Sequence, residues 1–330
     1  VDACPDLENR EALNLAGEKV AFAMIDPGYT SSSLTVAIDN LCDVTTNIDT
    51  SSESDMTITA YGDELYRLGR SNQDNMSKYT INSEKKAQLE WQFSLLDGDA
   101  GANPYGVAFL SEEKAYVARY NASELLIIDP SVAQDSTSFV LGKIDLSHYA
   151  DNSGGDTLPR IVGVKLVADQ LFVLLQRLTV SYSPENVSYL AVVDTNTDEE
   201  VETNANAEDG LKGIPLPVMN AVDMQVIGTT IFIAGVGDAY GYPEPGENHW
   251  EGGLVRVDAG NYETALIIDD GDAESHPYGS IKRVLIASET DGYFIGYITW
   301  GTEKLFHFDP TNVEASIVEM DGFGDSSIGG

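Results

Sequence analysis

Three of the four histidines fall in predicted loops, where their ring nitrogens could bind a metal ion. His148 lies between a serine and a tyrosine, His249 precedes a tryptophan, and His276 precedes a proline. Imidazoles that converge on one point bind zinc and other transition metals. Because no short-range spacing such as His-x-x-x-His is present, isolated loop histidines bonded to backbone or solvent are the alternative. His307 falls in a predicted strand and is assigned to packing.

Carboxylates are concentrated in the segment Asp269–Glu274, where three of them alternate with small residues. Asp270, Asp272 and Glu274 are the candidate metal ligands, because Ca²⁺ accepts hard carboxylate oxygens around glycine turns. The spacing differs from that of an EF-hand loop, and turn formation by Asp-Gly is the alternative explanation. No cofactor is certain from the sequence, and the two candidates are Ca²⁺ and a transition metal.

Motifs that define an enzyme class are absent from the sequence. It contains no Cys-x-x-Cys-His, no Gly-x-Ser-x-Gly and no phosphate-binding P-loop. Acid–base catalysis by paired carboxylates stays open, because 54 acidic residues supply too many candidates to choose among. Enzymatic activity is therefore left undecided, with the balance against it.

The charge of the chain limits its partners. Eighteen basic and 54 acidic residues give a formal net charge of −36. This field repels nucleic acid and anionic lipid, and it attracts cations and basic proteins. No apolar run is long enough to span a bilayer. We predict a protein, a glycan or a small ligand as the partner, with self-assembly as a further option, and neither nucleic acid nor a membrane span.

The opening residues, together with the two cysteines, predict a location outside the cytoplasm. Cys4 and Cys42 are an even pair, and in an exported chain such a pair indicates a disulfide. Two buried free thiols are the alternative. The opening residues Val1–Cys4 are typical of a processed, exported chain. We therefore predict an extracellular, cell-surface or periplasmic protein.

Short strands are the elements that would position these groups. The segment Asp97–Gly106 returns as Asp270–Gly279 with seven of ten residues identical, and an apolar run follows each copy. Internal repetition of this kind indicates a repeat protein. After the first copy, residues 106–110, 115–118, 125–128 and 139–141 read as four successive strands or strand starts. Four antiparallel strands in about 45 residues are the size of one β-propeller blade.

A marker recurs at the end of the third strand, where an apolar residue precedes Asp or Asn. The side chain of such a residue accepts backbone N–H bonds in an Asx-turn, so a structural role is predicted. Six markers predict six blades, and seven blades are the alternative. The markers are Asp39, Asn82, Asp129, Asp194, Asp258 and Asp309.

One domain accounts for the pattern. Residues 1–18 are predicted to be a tether, and residues 19–330 a single all-β propeller. Insertions at 177–186 and 238–253 fall between the second and third strands of two blades. The first repeat lacks a first strand, so we predict that the C-terminal segment pairs beside the N-terminal blade and closes the ring.

The connection that enters a blade and the loop between its second and third strands share one face in this architecture. The repeated loops, both insertions, His148 and His249 are therefore expected on that face. Aromatic side chains in such loops serve packing or partner contacts more often than catalysis. The predicted ligand-binding residues are Asn103, Tyr105, Tyr182, Tyr242, Trp250, His276 and Tyr278.

The repeat resembles the YVTN/YncE-type β-propeller repeat. The resemblance rests on residues 103–109, 115–118 and 126–129, and on their counterparts at 276–279, 293–295 and 305–309. It implies the fold, and it implies surface binding modules, lactonase-like enzymes or cofactor-supported oxidoreductases as the range of functions. No catalytic residue of that group matches. We predict a binding or scaffold module, with a lactonase-like or metal-assisted hydrolase and a subunit of an extracellular assembly as alternatives.

Overall fold

Strands dominate the secondary structure, and they form six sheets. Within the part of the chain that the structure describes, each sheet is an antiparallel blade of four strands, except the fourth, which has five because its outer strand is interrupted, and the fold is a six-bladed β-propeller. The six markers predicted this number. The computed structural model describes residues 19–38, 43–81, 87–134, 136–152, 155, 157–204, 210–238, 250–299 and 302–321.

The chain divides into two compact units. The first comprises Val1–Ala115 with Ile128–Leu141, and the second comprises Tyr116–Ile127 with Gly142–Gly330. The predicted tether at residues 1–18 lies outside the described residues. The predicted single domain at 19–330 stays a prediction.

The first sheet is three strands wide. β1 pairs with β2 along its whole length, so β3 and β4 share the other edge of β2. This agrees with the expected missing strand of the first repeat. The predicted closing segment at the C-terminus falls largely in residues 322–330, which lie outside the described ranges. The strands are β1 (Lys19–Ile25), β2 (Ser32–Ile38), β3 (Asp43–Thr45) and β4 (Thr50–Ser51).

The second and third sheets follow the chain in simple meander order. The predicted strands after the first repeated loop are confirmed, with bounds shifted by one or two residues. The second sheet contains β5 (Met56–Tyr61), β6 (Glu64–Gly69), β7 (Asn75–Ile81) and β8 (Ala87–Ser94). The third contains β9 (Pro104–Ser111), β10 (Lys114–Arg119), β11 (Glu124–Ile128) and β12 (Val140–Asp145).

The fourth sheet has an interrupted outer strand. β16 and β17 both pair with β15, at its C-terminal and N-terminal ends respectively. Residues 201–213 separate these two strands, and the sequence pattern did not predict this second interruption. The strands are β13 (Ile161–Val167), β14 (Gln170–Leu175), β15 (Val187–Asp194), β16 (Glu199–Glu200) and β17 (Ile214–Met219).

The fifth and sixth sheets again follow the chain. One helical turn, α1 (Val313–Ser316), precedes the last strand, and among the described residues no helix has the length and apolarity to cross a bilayer. The fifth sheet contains β18 (Ala221–Ile227), β19 (Thr230–Gly235), β20 (Gly253–Asp258) and β21 (Thr264–Asp269). The sixth contains β22 (Ser280–Ser288), β23 (Asp291–Thr299), β24 (Thr302–Phe308) and β25 (Val318–Glu319).

The second strands hold the core. In β6, β10, β14 and β19 every residue after the first is buried. Burial of consecutive residues means that both faces of these strands are covered, which explains the continuous apolar runs of β14 and β19. In the second unit, Phe232 and Ala234 of β19 pack with Phe294 and Phe308 of the sixth sheet. Each large side chain buried in this way contributes about 2 kcal/mol.

The markers form the predicted Asx-turns wherever the structure describes them. Asp129 Oδ1 accepts the Ser131 amide at 2.9 Å, and Asp258 Oδ1 accepts the Gly260 amide at 2.7 Å. Asp194 and Asp309 accept the amides two residues later in the same way. Hydrogen bonds from Thr311 also hold the pKa of Asp309 below its ordinary value. Asp39 and Asn82 lie outside the described residues.

Candidate functional site

In the second unit, the connection that enters a sheet contacts the loop between the second and third strands of that sheet. The backbone amide of Gln176 donates to the Arg160 carbonyl, and the backbone amide of Arg177 donates to the Pro159 carbonyl, both at 3.1 Å. The two loop types therefore lie side by side, as the strand order predicts. We call the surface that they form in this unit the loop face; its described residues are 146–152, 155, 157–160, 176–186, 220, 236–238, 250–252 and 270–279.

Arg160 joins its own connection to the 176–186 loop of the loop face and to the loop between β10 and β11. Its guanidinium lies 5.5 Å from the ring centre of Tyr120 and 4.8 Å from that of Tyr182. Arg160 itself is 4% exposed, whereas Tyr182 is 54% exposed. A guanidinium over tyrosine rings is favourable and becomes more so when it is shielded from water. Tyr182, a predicted ligand-binding residue, is thus held in place by a buried cation while much of its ring faces solvent.

Asn220 connects the fourth and fifth sheets. Its side-chain oxygen accepts a hydrogen bond from Gln176 Nε2 at 2.8 Å, and its Nδ2 donates to the Gly237 carbonyl at 3.1 Å. Its backbone is left-handed, with φ of 50°, a conformation that asparagine adopts more readily than most residues. This one amide therefore fixes two neighbouring loops of the loop face relative to each other.

Trp250 and His276 form a stacked pair at the fifth sheet. Their ring centres are 4.1 Å apart, and the ring planes differ by 12°. The His276 Nδ1 lies 3.0 Å from the Asp272 carbonyl oxygen. Because a carbonyl only accepts, Nδ1 carries the proton, and Nε2 is the ring nitrogen that can accept a hydrogen bond or a metal. The structure thus brings together two of the predicted ligand-binding residues.

Asp270 is buried and contacts the backbone of Gly252, two residues after Trp250. Its exposure is 0%, and Oδ1 accepts the Gly252 amide at 3.2 Å. Its other oxygen, Oδ2, is buried and has no hydrogen-bond partner within the described chain. Burial, together with the charges of Asp269 and Glu251, raises the pKa of Asp270 to about 7, against the backbone hydrogen bonds that lower it. This carboxylate therefore changes charge near neutral pH.

Asp272, another predicted oxygen ligand, is engaged in a turn to which Glu274 contributes its backbone amide. Asp272 Oδ1 accepts the Glu274 amide at 2.8 Å and the Ser275 amide at 2.7 Å. Over the residues that the structure describes, no group of three or more His, Cys, Asp or Glu side chains is arranged to hold a metal ion. Turn formation thus explains much of this segment, and the predicted metal site stays a prediction.

His148 lies beside a buried carboxylate of the fourth sheet. Its Nε2 is 3.0 Å from Oε2 of Glu200, whose side chain is 7% exposed. The hydroxyl of the fully buried Tyr149 donates to Glu200 and accepts the Gly213 amide at 2.6 Å. Burial and the neighbouring Glu200 raise the pKa of Tyr149. His148 thus pairs with Glu200 of the fourth sheet, and within the described ranges no contact joins it to His276.

The two copies of the repeated loop differ in their surroundings. In the first unit, the backbone amides of Ala102 and Asn103 donate to Asp74 Oδ1 at 2.9 and 2.6 Å. The Arg70 guanidinium lies 3.8 Å from the centre of the Tyr105 ring. Asn103 and Tyr105, both predicted to bind ligand, are therefore engaged with residues of the second sheet.

In the second copy, β22 begins at Ser280, three residues after Pro277, whereas in the first copy β9 begins at Pro104 itself. Tyr278 packs edge-on against Phe294 and Phe306, with ring centres 5.7 and 5.4 Å away. It is partly buried and packs against the core of the sixth sheet. Tyr242 and His249, the remaining predicted site residues, and the cysteines Cys4 and Cys42 lie outside the described residues.

An open cavity of about 450 Å³ lies at the first sheet. Hydroxyl and amide side chains make up most of its lining, together with two apolar residues of β1. The lining residues are Met24, Ile25, Asp26, Ser31, Ser32, Ser33, Thr35, Thr46, Asn47 and Thr50. The cavity contains no histidine and one carboxylate, so it lacks the grouping of titratable side chains that marks the Asp270 region.

Comparison with known proteins identifies the fold. No family model matches the sequence, and no curated protein matches it. A solved protein from Lactobacillus plantarum has a TM-score of 0.58 at 10% identity, covering 93% of this chain and 82% of that one. Hydrazine synthase from Kuenenia stuttgartiensis has a TM-score of 0.55 at 14% identity, covering 87% of this chain and 76% of that one.

Virginiamycin B lyase from Staphylococcus aureus has a TM-score of 0.55 at 10% identity, covering 93% of this chain and 89% of that one. The structural neighbours are β-propeller proteins, and the resemblance to the YVTN/YncE-type repeat fits this result. Identities this low show the fold alone.

Proposed function

We propose that this protein is a binding module and that its loop face takes a positively charged partner. The observation that carries the proposal is the contact of successive loops in the second unit, through Arg160, Asn220 and the Trp250–His276 pair. Loops that contact each other in this way hold their side chains in fixed positions, which lowers the entropy cost of binding.

The charge of this region supports a cationic partner. Residues 214–281 contain 11 acidic residues and one basic residue, Arg256. Around the stacked pair, residues 250–253 and 269–276 contain five carboxylates and neither lysine nor arginine. A surface of one sign steers ligands of the opposite sign, and an aromatic face attracts ammonium and guanidinium groups.

Fluorescence anisotropy with labelled decalysine tests the proposal, at a salt concentration of about 150 mM, where weak non-specific attraction is screened. Trp250→Ala is expected to weaken binding about fivefold, since it removes the aromatic face. Leu285→Ala, which truncates a 56% exposed side chain of β22, is the control and should leave the affinity unchanged. Equal affinities for both variants and the parent would show that decalysine senses only the overall charge, and the proposed site would be wrong.

The two alternative functions, an enzyme and a subunit of an assembly, stay predictions. A lactonase-like or metal-assisted hydrolase would need a metal or a catalytic pair at the loop face, and a subunit of an extracellular assembly would need a partner strand at the first sheet. The predicted location outside the cytoplasm rests on the two cysteines. We propose it on that ground, together with an acidic surface that keeps the protein soluble in saline surroundings.

A further inference from the structure

A second candidate binding site lies in the first unit, at the open cavity of about 450 Å³ beside the first sheet. Its lining residues all fall between positions 24 and 50, so the cavity includes no residue of the loop face. Its volume lies within the range of known small-molecule sites, roughly 300–1,000 Å³. The cavity can therefore admit a small organic ligand.

One wall of the cavity is a face of the first sheet. Met24 pairs with Ser33, and Ser33 pairs with Thr50, so these three residues form a row across β1, β2 and β4. Thr35 lies two residues from Ser33 and shares its face, because side chains alternate along a strand. Leu34, between them, points to the opposite face and is fully buried in the core. The wall is thus built on paired strands, which hold side chains more precisely than loops do.

The hydroxyl groups of this wall are not used by the fold. Ser33, Thr35 and Thr50 make no side-chain hydrogen bond with the residues that the structure describes, although Thr35 is only 6% exposed. By contrast, Ser32 Oγ at the edge of the cavity donates to the Glu53 carbonyl at 2.6 Å. A shielded hydroxyl without a partner is unfavourable, so the partner of Thr35 is expected to be water or a ligand in the cavity.

The chemistry of the lining favours a neutral ligand over an ion. Asp26 is the one charged residue of the described lining, and its Oδ2 already accepts the Gly28 amide at 2.9 Å and the Thr30 hydroxyl at 3.0 Å. An anion would find no cation in the lining and would be repelled by the net charge of −36. Since a hydroxyl both donates and accepts, the serines and threonines suit a ligand that is itself rich in hydroxyls.

We propose that this cavity binds a neutral sugar ring, either of a free sugar or at the end of a glycan chain. A sugar ring has hydroxyls around its edge and C–H groups on its faces. Ser33, Thr35 and Thr50 hydrogen-bond the hydroxyls, and Met24 and Ile25 pack against the C–H groups. This goes beyond the proposed function, because the loop face takes a cationic partner and the cavity takes an uncharged one.

Saturation-transfer NMR of the full chain with four neutral sugars tests the proposal. The probes are the methyl glycosides of glucose, galactose, mannose and N-acetylglucosamine, and at least one should bind the parent. Thr35→Val replaces a hydroxyl by a methyl group and should weaken binding of that sugar about fivefold, because a hydrogen bond is lost. Thr45→Val makes the same change opposite Val36, on the other face of the sheet, and should bind like the parent.

Further variants and conditions make the test independent of the folding of Thr35→Val. Ser33→Leu places a larger apolar side chain on the wall and should abolish binding while the circular dichroism spectrum stays that of the parent. Trp250→Ala, which tests the loop face, should bind the sugar like the parent. The affinity should be the same at about 50 mM and about 500 mM NaCl, because salt screens charges and the ligand has none.

The outcomes separate the two sources of the sugar. Binding of an oligosaccharide that ends in the same sugar, at least as tightly as the single ring, supports a glycan end, and binding of the single ring alone supports a free sugar. Three results would overturn the proposal: no binding of any of the four sugars to a folded parent, equal weakening by Thr35→Val and Thr45→Val, or undiminished binding to Ser33→Leu. An affinity that falls with salt would contradict a neutral ligand. Decalysine binding that depends on Trp250 would still uphold the proposed function.

Discussion

Asp270→Asn is expected to make the protein more stable above neutral pH. The folded pKa of Asp270 is about 7, and that of an unfolded aspartate is about 3.9. Between these values the folded state binds more protons than the unfolded state, so stability falls as the pH rises through this window and then levels off. Asparagine has nearly the same shape and carries no charge, so the stability of the variant does not fall with pH for this reason.

The magnitude follows from the two pKa values. Each pH unit within the window costs the folded parent about 1.4 kcal/mol. Between pH 5 and pH 8, the free energy of unfolding of Asp270→Asn should therefore rise by about 3 kcal/mol relative to the parent. Comparing the two pH values removes any constant effect of the new amide group.

Urea unfolding, followed by circular dichroism at pH 5, 6, 7 and 8, measures this difference. Asp258→Asn is the control, because Asp258 is exposed and its Asx-turn survives the substitution. Its difference from the parent should stay constant across the series. A difference between Asp270→Asn and the parent that is equally constant would refute the reasoning, since it would mean that Asp270 is already ionised at pH 5.

Two further substitutions test the local geometry. Gly252→Ala should lower the free energy of unfolding by about 2 kcal/mol, because its Cβ would press on a backbone carbonyl, while Gly106→Ala, which meets no atom within 4 Å, is the control. Asp129→Ala should cost about 1 kcal/mol through loss of the bonds from the Ser131 amide and hydroxyl, and Asp129→Asn should retain most of the stability. Urea unfolding measures all four variants. Equal losses of stability in Gly252→Ala and Gly106→Ala, or in Asp129→Ala and Asp129→Asn, would contradict the corresponding explanation.

Local signals in the sequence were sufficient to predict the sheets. An Asx-turn depends on a few consecutive residues, so Asp129, Asp194, Asp258 and Asp309 could be recognised from their spacing alone. The number of sheets followed from counting these turns. The interruption of the outer strand at 201–213 was missed, because a polar segment there reads as an ordinary loop.

The site was harder to predict because its contacts join distant residues. The sequence assigned Asp270 to a metal site, whereas the structure shows Ile268 buried, Asp269 exposed and Asp270 buried, so the alternation continues past the end of β21. The sequence also carried no sign of the contacts of Arg160. Its two tyrosine partners lie 40 residues before it and 22 after it in the sequence, and only the fold brings them together.

The Asx-turns have a consequence for how this protein can change. Each turn satisfies its own hydrogen bonds within a few residues, so it closes the third strand without help from the loops at the other end of the sheet. Sequence variation in those loops leaves the closures intact. The turns and the loops at opposite ends of a sheet can therefore change independently of each other.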